Sequence, residues 1–203
     1  VKSTMSKDPN IYSDLFRVED GSSLTLGDNE KNGKHGVILD GRGTAHMGRL
    51  VCVEVGGSLN IYPGTEIKNN NSMDGRGSGI INKGTMMMYG GTISGNKFAT
   101  TEKNFQEVNL KDDDDKTYCH GGGLRNDGNC TIKDGTISGN TAATGGGIYT
   151  TGPDYESDQK EAVLKITKCK IENNKALGTD RGTGGGIVVG SYMGSYYDKT
   201  LKK

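Results

Sequence analysis

Four stretches carry the same short phrase: SLNIYPGTEIKNN (residues 58–70), TMMMYGGTISGN (85–96), CTIKDGTISGN (130–140) and LKITKCKIENN (164–174). Each follows a glycine-led phrase, such as SGIINKG from Ser78, GGGLRNDG from Gly121 or GGGIYTTG from Gly145. Self-similarity at a period of tens of residues marks a stacked-repeat architecture, because one such unit cannot bury its apolar face alone and must lean on the next. Within each phrase the apolar residues alternate with polar ones, Leu59 with Ile61 and Met86 with Met88, which is the two-residue period of a strand.

Aligning the phrases predicts three strands per turn. The first centres on Val18, Val53, Ile80, Leu124, Ile148 and Ile187, and the second begins at Leu24, Leu59, Met86, Cys130, Leu164 and Met193. The third centres on Ile67, Ile93, Ile137 and Ile171, each followed by a tail ending in Asn70, Asn96, Asn140 or Asn174. Successive first strands lie 35, 27, 44, 24 and 39 residues apart, so the basic turn takes about two dozen residues and the rest is inserted loop. The expectation is an all-β chain, a right-handed single-stranded parallel β-helix of about six coils, stacked at the interstrand spacing of about 4.8 Å. It forms one domain over residues 1–203 or a fragment of a longer one, with a repeat core at 18–190, a long loop at 97–122 and an insertion at 151–162. Gly57, Gly84 and Gly128, and again Gly64, Gly91 and Gly135, fall where the backbone turns, often with positive φ. The recurrent asparagines suit a side-chain amide ladder up one corner.

The repeated G-G-G-I and S-G-N or E-N-N phrases resemble the right-handed β-helix repeats of bacterial surface and adhesin-like proteins, the polymorphic outer-membrane protein repeats among them. The resemblance covers roughly residues 18–190 and rests on turn and core residues. It implies an extracellular or bacterial cell-surface protein whose rigid stack presents loops to a host or bacterial surface protein or glycan. The F-x-x-N motif and membrane barrel of that group are not found in this chain.

Composition narrows the alternatives. Lysine plus arginine equals aspartate plus glutamate at 25 each, so no overall field draws the chain to a polyanion, and nucleic acid is not an expected partner. No apolar run approaches the ~20 residues of a membrane-crossing helix, and Val1 opens no signal peptide. Cys52, Cys119, Cys130 and Cys169 lack paired C-x-x-C spacing, so the reading is free, mostly buried thiols, with one bridge left open. His35, His46 and His120 have no ligand-spaced neighbour, and the G-G-G runs lead into Ile-Tyr and Ile-Val rather than Lys-Ser or Lys-Thr, so neither a metal nor a nucleotide cofactor is expected.

The candidate sites are outward-facing. Connections from the third strand to the next first strand vary most, and insertions at one phase of a repeat emerge on one side, the usual binding face. The longest carries KDDDDK at residues 111–116. Asp112, Asp113, Asp114 and Asp115 are weak ligands for a hard cation, because adjacent carboxylates lack the spacing of a calcium loop; the string also resembles an enterokinase-cleavable epitope tag. DGRGT at Asp40, DGRGS at Asp74 and DRGTG at Asp180 offer Asp74 with Arg76, and Asp180 with Arg181, either as a grip on a sugar hydroxyl or carboxylate or as pairs that brace a turn. Tyr62 and Tyr89 share an outward row, either a sugar-stacking surface or a cross-strand pair shielding the sheet. Glu19 and Glu54 share another, where stacked carboxylates repel and one pKa rises, as glycosidases require. Two functions follow: a non-enzymatic module binding through loops on one edge, or a carbohydrate-active enzyme, a polysaccharide lyase or glycosidase, with Glu19 and Glu54 as its acid and base. The fold alone does not choose between them. Terminal strands with unpaired backbone groups also invite end-to-end self-association.

Overall fold

The computed structural model describes residues 14–28, 35–43, 45–46, 48–72, 77–98, 120–151, 162–177 and 184–190. Every regular element among them is a short strand of two to four residues, and every pairing between strands is parallel. The strands form four sheets that the chain visits in turn, an order compatible with a parallel β-helix. The first sheet stacks Phe16–Val18, Val51–Val53, Ile80–Asn82, Leu124–Asn126, Ile148–Thr151 and Ile187–Gly190. The second stacks Ser23–Leu26, Ser58–Ile61, Thr85–Met88, Asn129–Ile132 and Val163–Ile166, and the third Ile38–Asp40, Glu66–Lys68, Thr92–Ser94, Thr136–Ser138 and Lys170–Glu172. The fourth is made of two-residue strands: Ala45–His46, Asn71–Ser72, Lys97–Phe98, Thr141–Ala142 and Lys175–Ala176. One passage through all four sheets is called a circuit below; the described residues make five, with one further strand on the first sheet.

The expected core columns are present. Ile67, Ile93, Ile137 and Ile171 pair in register, the first three fully buried. Leu59, Met86 and Cys130, with Ile61, Met88 and Ile132 two residues on, fill the second sheet's inner face. Each such side chain contributes about 1.5–3 kcal/mol by leaving water, and parallel strands earn this only when neighbours cover both edges.

Three expectations need correction. Four strands, not three, make a circuit, because a two-residue strand follows each corner asparagine; two residues carry too little pattern to register as a period. The first-strand alignment slips by two between circuits: Val51, not Val53, pairs with Ile80, while Val18 and Val53 share a row with Asn82. The slip arises because the first two circuits spend four residues between the first and second strands, 19–22 and 54–57, where the next two spend two, 83–84 and 127–128. A shift of two keeps every side chain on its face, so the inward set survives it. Finally, Gly64, Gly91 and Gly135 do have positive φ, but Gly57, Gly84 and Gly128 do not; a Cβ on Gly84 would lie 2.3 Å from the Gly57 carbonyl oxygen, so there the demand is close stacking of backbones.

The corner between the third and fourth sheets explains the S-G-N and E-N-N phrases. From the second circuit onward it is always two residues long, 69–70, 95–96, 139–140 and 173–174. The first of each pair, Asn69, Gly95, Gly139 or Asn173, has φ between 55° and 64°, the left-handed region that glycine and asparagine tolerate best. The second is the expected ladder. Asn140 Oδ1 accepts hydrogen bonds from the Asn96 backbone N–H (3.0 Å) and Nδ2 (3.1 Å), while Asn140 Nδ2 donates to Ile93 O and to Asn174 Oδ1, each at 3.0 Å.

Candidate functional site

The connection from the fourth sheet back to the first behaves oppositely. It spans residues 47–50, 73–79, 99–123, 143–147 and 177–186, so it takes four, seven, twenty-five, five and ten residues in successive circuits. The expected long loop, 97–122, therefore begins two residues later, since Lys97 and Phe98 belong to the fourth sheet and pair with Asn71 and Ser72. Likewise Thr151 ends a first-sheet strand, so the neighbouring insertion occupies 152–162.

From the second circuit onward, however long the excursion, it returns the same way. Gly79, Gly123 and Gly147 each precede a first-sheet strand. A Cβ on Gly147 would stand 2.6 Å from Gly186 O and 2.9 Å from Asn174 Nδ2; on Gly123 it would meet Gly147 O at 2.7 Å and Asn140 Nδ2 at 2.9 Å. The glycine runs and the asparagine ladder are thus two halves of one packing arrangement, and neither phrase is free to change alone.

Before that return, the connection folds back over the outer face of the first sheet. A Cβ on Gly77 would touch the side chains of Ile81 and Arg125, one on Gly145 that of Tyr149, and one on Gly184 that of Val188. The row Arg17, Cys52, Ile81, Arg125, Tyr149 points away from the core, yet Cys52, Ile81 and Tyr149 are buried. His120 stacks on Tyr149 with ring centroids 4.2 Å apart. Burial, with a lesser push from Arg125, lowers the His120 pKa from 6.5 to about 3, so this imidazole is neutral at physiological pH and serves as a packing surface. Arg125 Nε donates to both oxygens of Asp127 at 3.0 and 2.8 Å, and the Thr151 hydroxyl donates to Asp127 at 3.1 Å. Sequence reading missed this cluster, because its members become neighbours only through a register that intervening segments of different length conceal.

Glu19 and Glu54 occupy corresponding positions just after the paired Val18 and Val53. Glu54, however, is held by cations: Lys83 Nζ donates at 2.9 Å, and the Arg17 guanidinium pairs with its other oxygen. The hydrogen bond from Lys83 is the largest influence, and it lowers the Glu54 pKa instead of raising it. The raised carboxyl that stacking was expected to produce is therefore not found at Glu54. Behind it, Arg49 and the almost fully buried Asp14 pair at 3.0 Å, and the Cys52 thiol, pushed up to about 12 chiefly by burial, donates to Glu54 at 3.4 Å. With Lys83 it forms a brace across the first three circuits.

Tyr62 and Tyr89 stack face to face, 4.7 Å apart and 5° from parallel, which is the strand spacing itself. Lys133 Nζ lies 4.8 Å from the Tyr89 ring centroid and continues the row. Lys133 was not singled out from the sequence, although it follows Tyr89 by the same 44 residues that separate Ile93 from Ile137. In the DGRGT phrase at Asp40, the Asp40 carboxylate accepts from the Arg42 backbone N–H at 2.8 Å and from Asn69 Nδ2 at 3.2 Å, which is turn bracing. Asp74, Arg76, Asp112, Asp113, Asp114, Asp115, Asp180 and Arg181 lie outside the described residues, as does Cys119. Cys52 and Cys130 are buried free thiols and Cys169 a half-buried one. Among the described residues no three His, Cys, Asp or Glu side chains are grouped to hold a metal ion, and no helix is long and apolar enough to cross a membrane.

Comparison with known proteins finds no matching family model, no matching curated protein and no matching solved structure.

Proposed function

We propose that the chain is a right-handed, single-stranded parallel β-helix module of a secreted or bacterial cell-surface protein, adhesin-like, that binds a protein or glycan of a host or neighbouring cell. Its contact surface is the corner between the fourth and first sheets. The observation that carries this reading is the contrast in length. One corner keeps two residues in four successive circuits, while the corner next to it ranges from four to twenty-five. A stack that needs only closure gains nothing from a twenty-five-residue excursion; a scaffold that presents recognition segments does. The engagement of Glu54 by Lys83 and Arg17 fits a binding surface better than a row that must supply a proton at neutral pH.

The test is a panel of host glycans, pectins, alginates and glycosaminoglycans with cell-surface proteins, read for retention and for new reducing or unsaturated ends. The intact chain is compared with a variant lacking residues 99–119. Retention without turnover, abolished by the deletion, is the expected result. Turnover of any polysaccharide would replace the binding reading with the carbohydrate-active one.

A further inference from the structure

The tyrosine row between the second and third sheets is complete on one side and incomplete on the other. Each circuit supplies one residue to it, just past the paired strands of the second sheet: Gly27, Tyr62, Tyr89 and Lys133 in turn. Tyr89 has both ring faces taken, one by Tyr62 at 4.7 Å and the other by Lys133 Nζ at 4.8 Å. Tyr62 has one face taken by Tyr89, and on its other side stands Gly27, with no side chain to set against the ring. A side chain there would be strained: φ is 84°, and a Cβ would meet Thr65 Oγ1 at 2.9 Å and Tyr62 Cβ at 3.3 Å. The segment that follows, NEKNGK at 29–34, contains no aromatic or aliphatic residue to complete the stack.

The surroundings of that face are polar. Thr25 and Asn60 pair in register two residues before Gly27 and Tyr62 and so share their outward face, Thr25 exposed and Asn60 half-buried. Beyond Gly27 the Asp28 carboxylate and the His35 imidazole hold each other. Hydroxyl, amide, carboxylate and imidazole all exchange hydrogen bonds with hydroxyl groups, and no lysine or arginine among them draws an anion. An aromatic face with a few polar groups beside it suits a ring with an apolar C–H side and a hydroxyl edge. A purely aromatic ligand would use the face and none of the rim. We propose that a neutral pyranose of a glycan chain stacks on the open face of Tyr62, in the layer of Gly27, with its hydroxyls bonded by Thr25, Asn60, Asp28 and His35. Tyr89 and Lys133 back the ring, so the platform is ordered before the sugar arrives. The site lies two corners away from residues 99–119 and stands independently of the function proposed above.

Saturation-transfer difference NMR and calorimetric titration of the full chain test this, with neutral hexasaccharides of glucose, mannose, galactose and N-acetylglucosamine and with oligogalacturonate as an acidic control. At least one neutral hexasaccharide is expected to bind at millimolar concentration or below. Tyr62→Leu keeps apolar bulk against the sheet but removes the flat face, and should weaken binding roughly tenfold or more, whereas Tyr62→Phe should retain it. Asp28→Ala with His35→Ala should weaken it as well, and removal of residues 99–119 should leave it unchanged. Circular dichroism confirms that each variant is folded. A full chain that binds no neutral hexasaccharide overturns the proposal, as does binding confined to oligogalacturonate. So does binding that survives Tyr62→Leu, or that disappears with residues 99–119.

Discussion

The two corners that flank the fourth sheet are built on opposite principles. On one side, 69–70, 95–96, 139–140 and 173–174 keep a constant length and conformation, because the second residue of each pair serves the circuits on both sides through its side-chain amide. On the other side the connection changes length freely before its last few residues, which hydrogen-bond across circuits and end in glycine at 79, 123, 147 and 186 but in Leu50 at the first return. Variation is tolerated where a segment has no obligation to the next circuit. Constancy marks the groups whose hydrogen bonds cross from one circuit to another.

The contrast can be broken at its strict side first. Asn140→Ala strands the buried Asn96 backbone N–H, at about 1–3 kcal/mol for a buried unsatisfied group, and removes the side-chain donor to the Ile93 carbonyl. Together with the lost side-chain volume, the expected cost is about 4 kcal/mol by chemical denaturation, a large share of the ~5–15 kcal/mol that holds a domain. A loss under about 1 kcal/mol would mean water replaces the ladder. Ile137→Ala should cost about 3 kcal/mol as a buried large-to-small change, and Ile171→Ala clearly less, because Ile171 is only half buried in the last described circuit. Equal losses would contradict the asymmetry between the interior and that circuit.

The permissive side is sharpened by pH and by deletion. His120 folds with its pKa lowered from 6.5 to about 3, so below pH 6.5 the unfolded chain binds a proton the folded one refuses. Stability is complete above that pH and declines as pH falls towards 3, with a slope approaching about 1.4 kcal/mol per pH unit. In His120→Phe that part of the acid limb flattens while stability at pH 7.5 changes little; an unchanged slope would place the titrating group elsewhere. Smallest of all should be removal of residues 99–119. It leaves four residues, 120–123, between Phe98 and Leu124, the same length that 47–50 already uses. Because loop-closure entropy varies only with the logarithm of length, the change in unfolding free energy should stay within about 1–2 kcal/mol. Ligand retention, by contrast, should disappear.

Much of this architecture could be read directly. The isoleucine column, the inward pairs of the second sheet, the asparagine ladder and the side on which insertions emerge follow from repeated phrases, because identical environments stacked at one spacing select identical residues. The fourth sheet escaped because its strands are two residues long, and the slip between Val53 and Ile80 because it preserves the inward face. The second polar ladder was also missed: Asn82 Nδ2 donates to Asn126 Oδ1 at 2.8 Å, and Asn126 Nδ2 to the Thr150 hydroxyl at 2.9 Å. Its members differ in type and sit in INKG, RNDG and YTTG phrases that look like turns.

The order of residues by itself determined that the chain repeats, which side chains face inward, and where glycine and asparagine must recur. These are local periodicities, legible one circuit at a time. Only the tertiary structure decided which outward groups meet: Glu54 with Lys83 and Arg17, His120 with Tyr149. Those meetings depend on the register between circuits separated by segments of unequal length. Backbone hydrogen bonds and packed glycines fix that register in space, and no spacing along the chain encodes it.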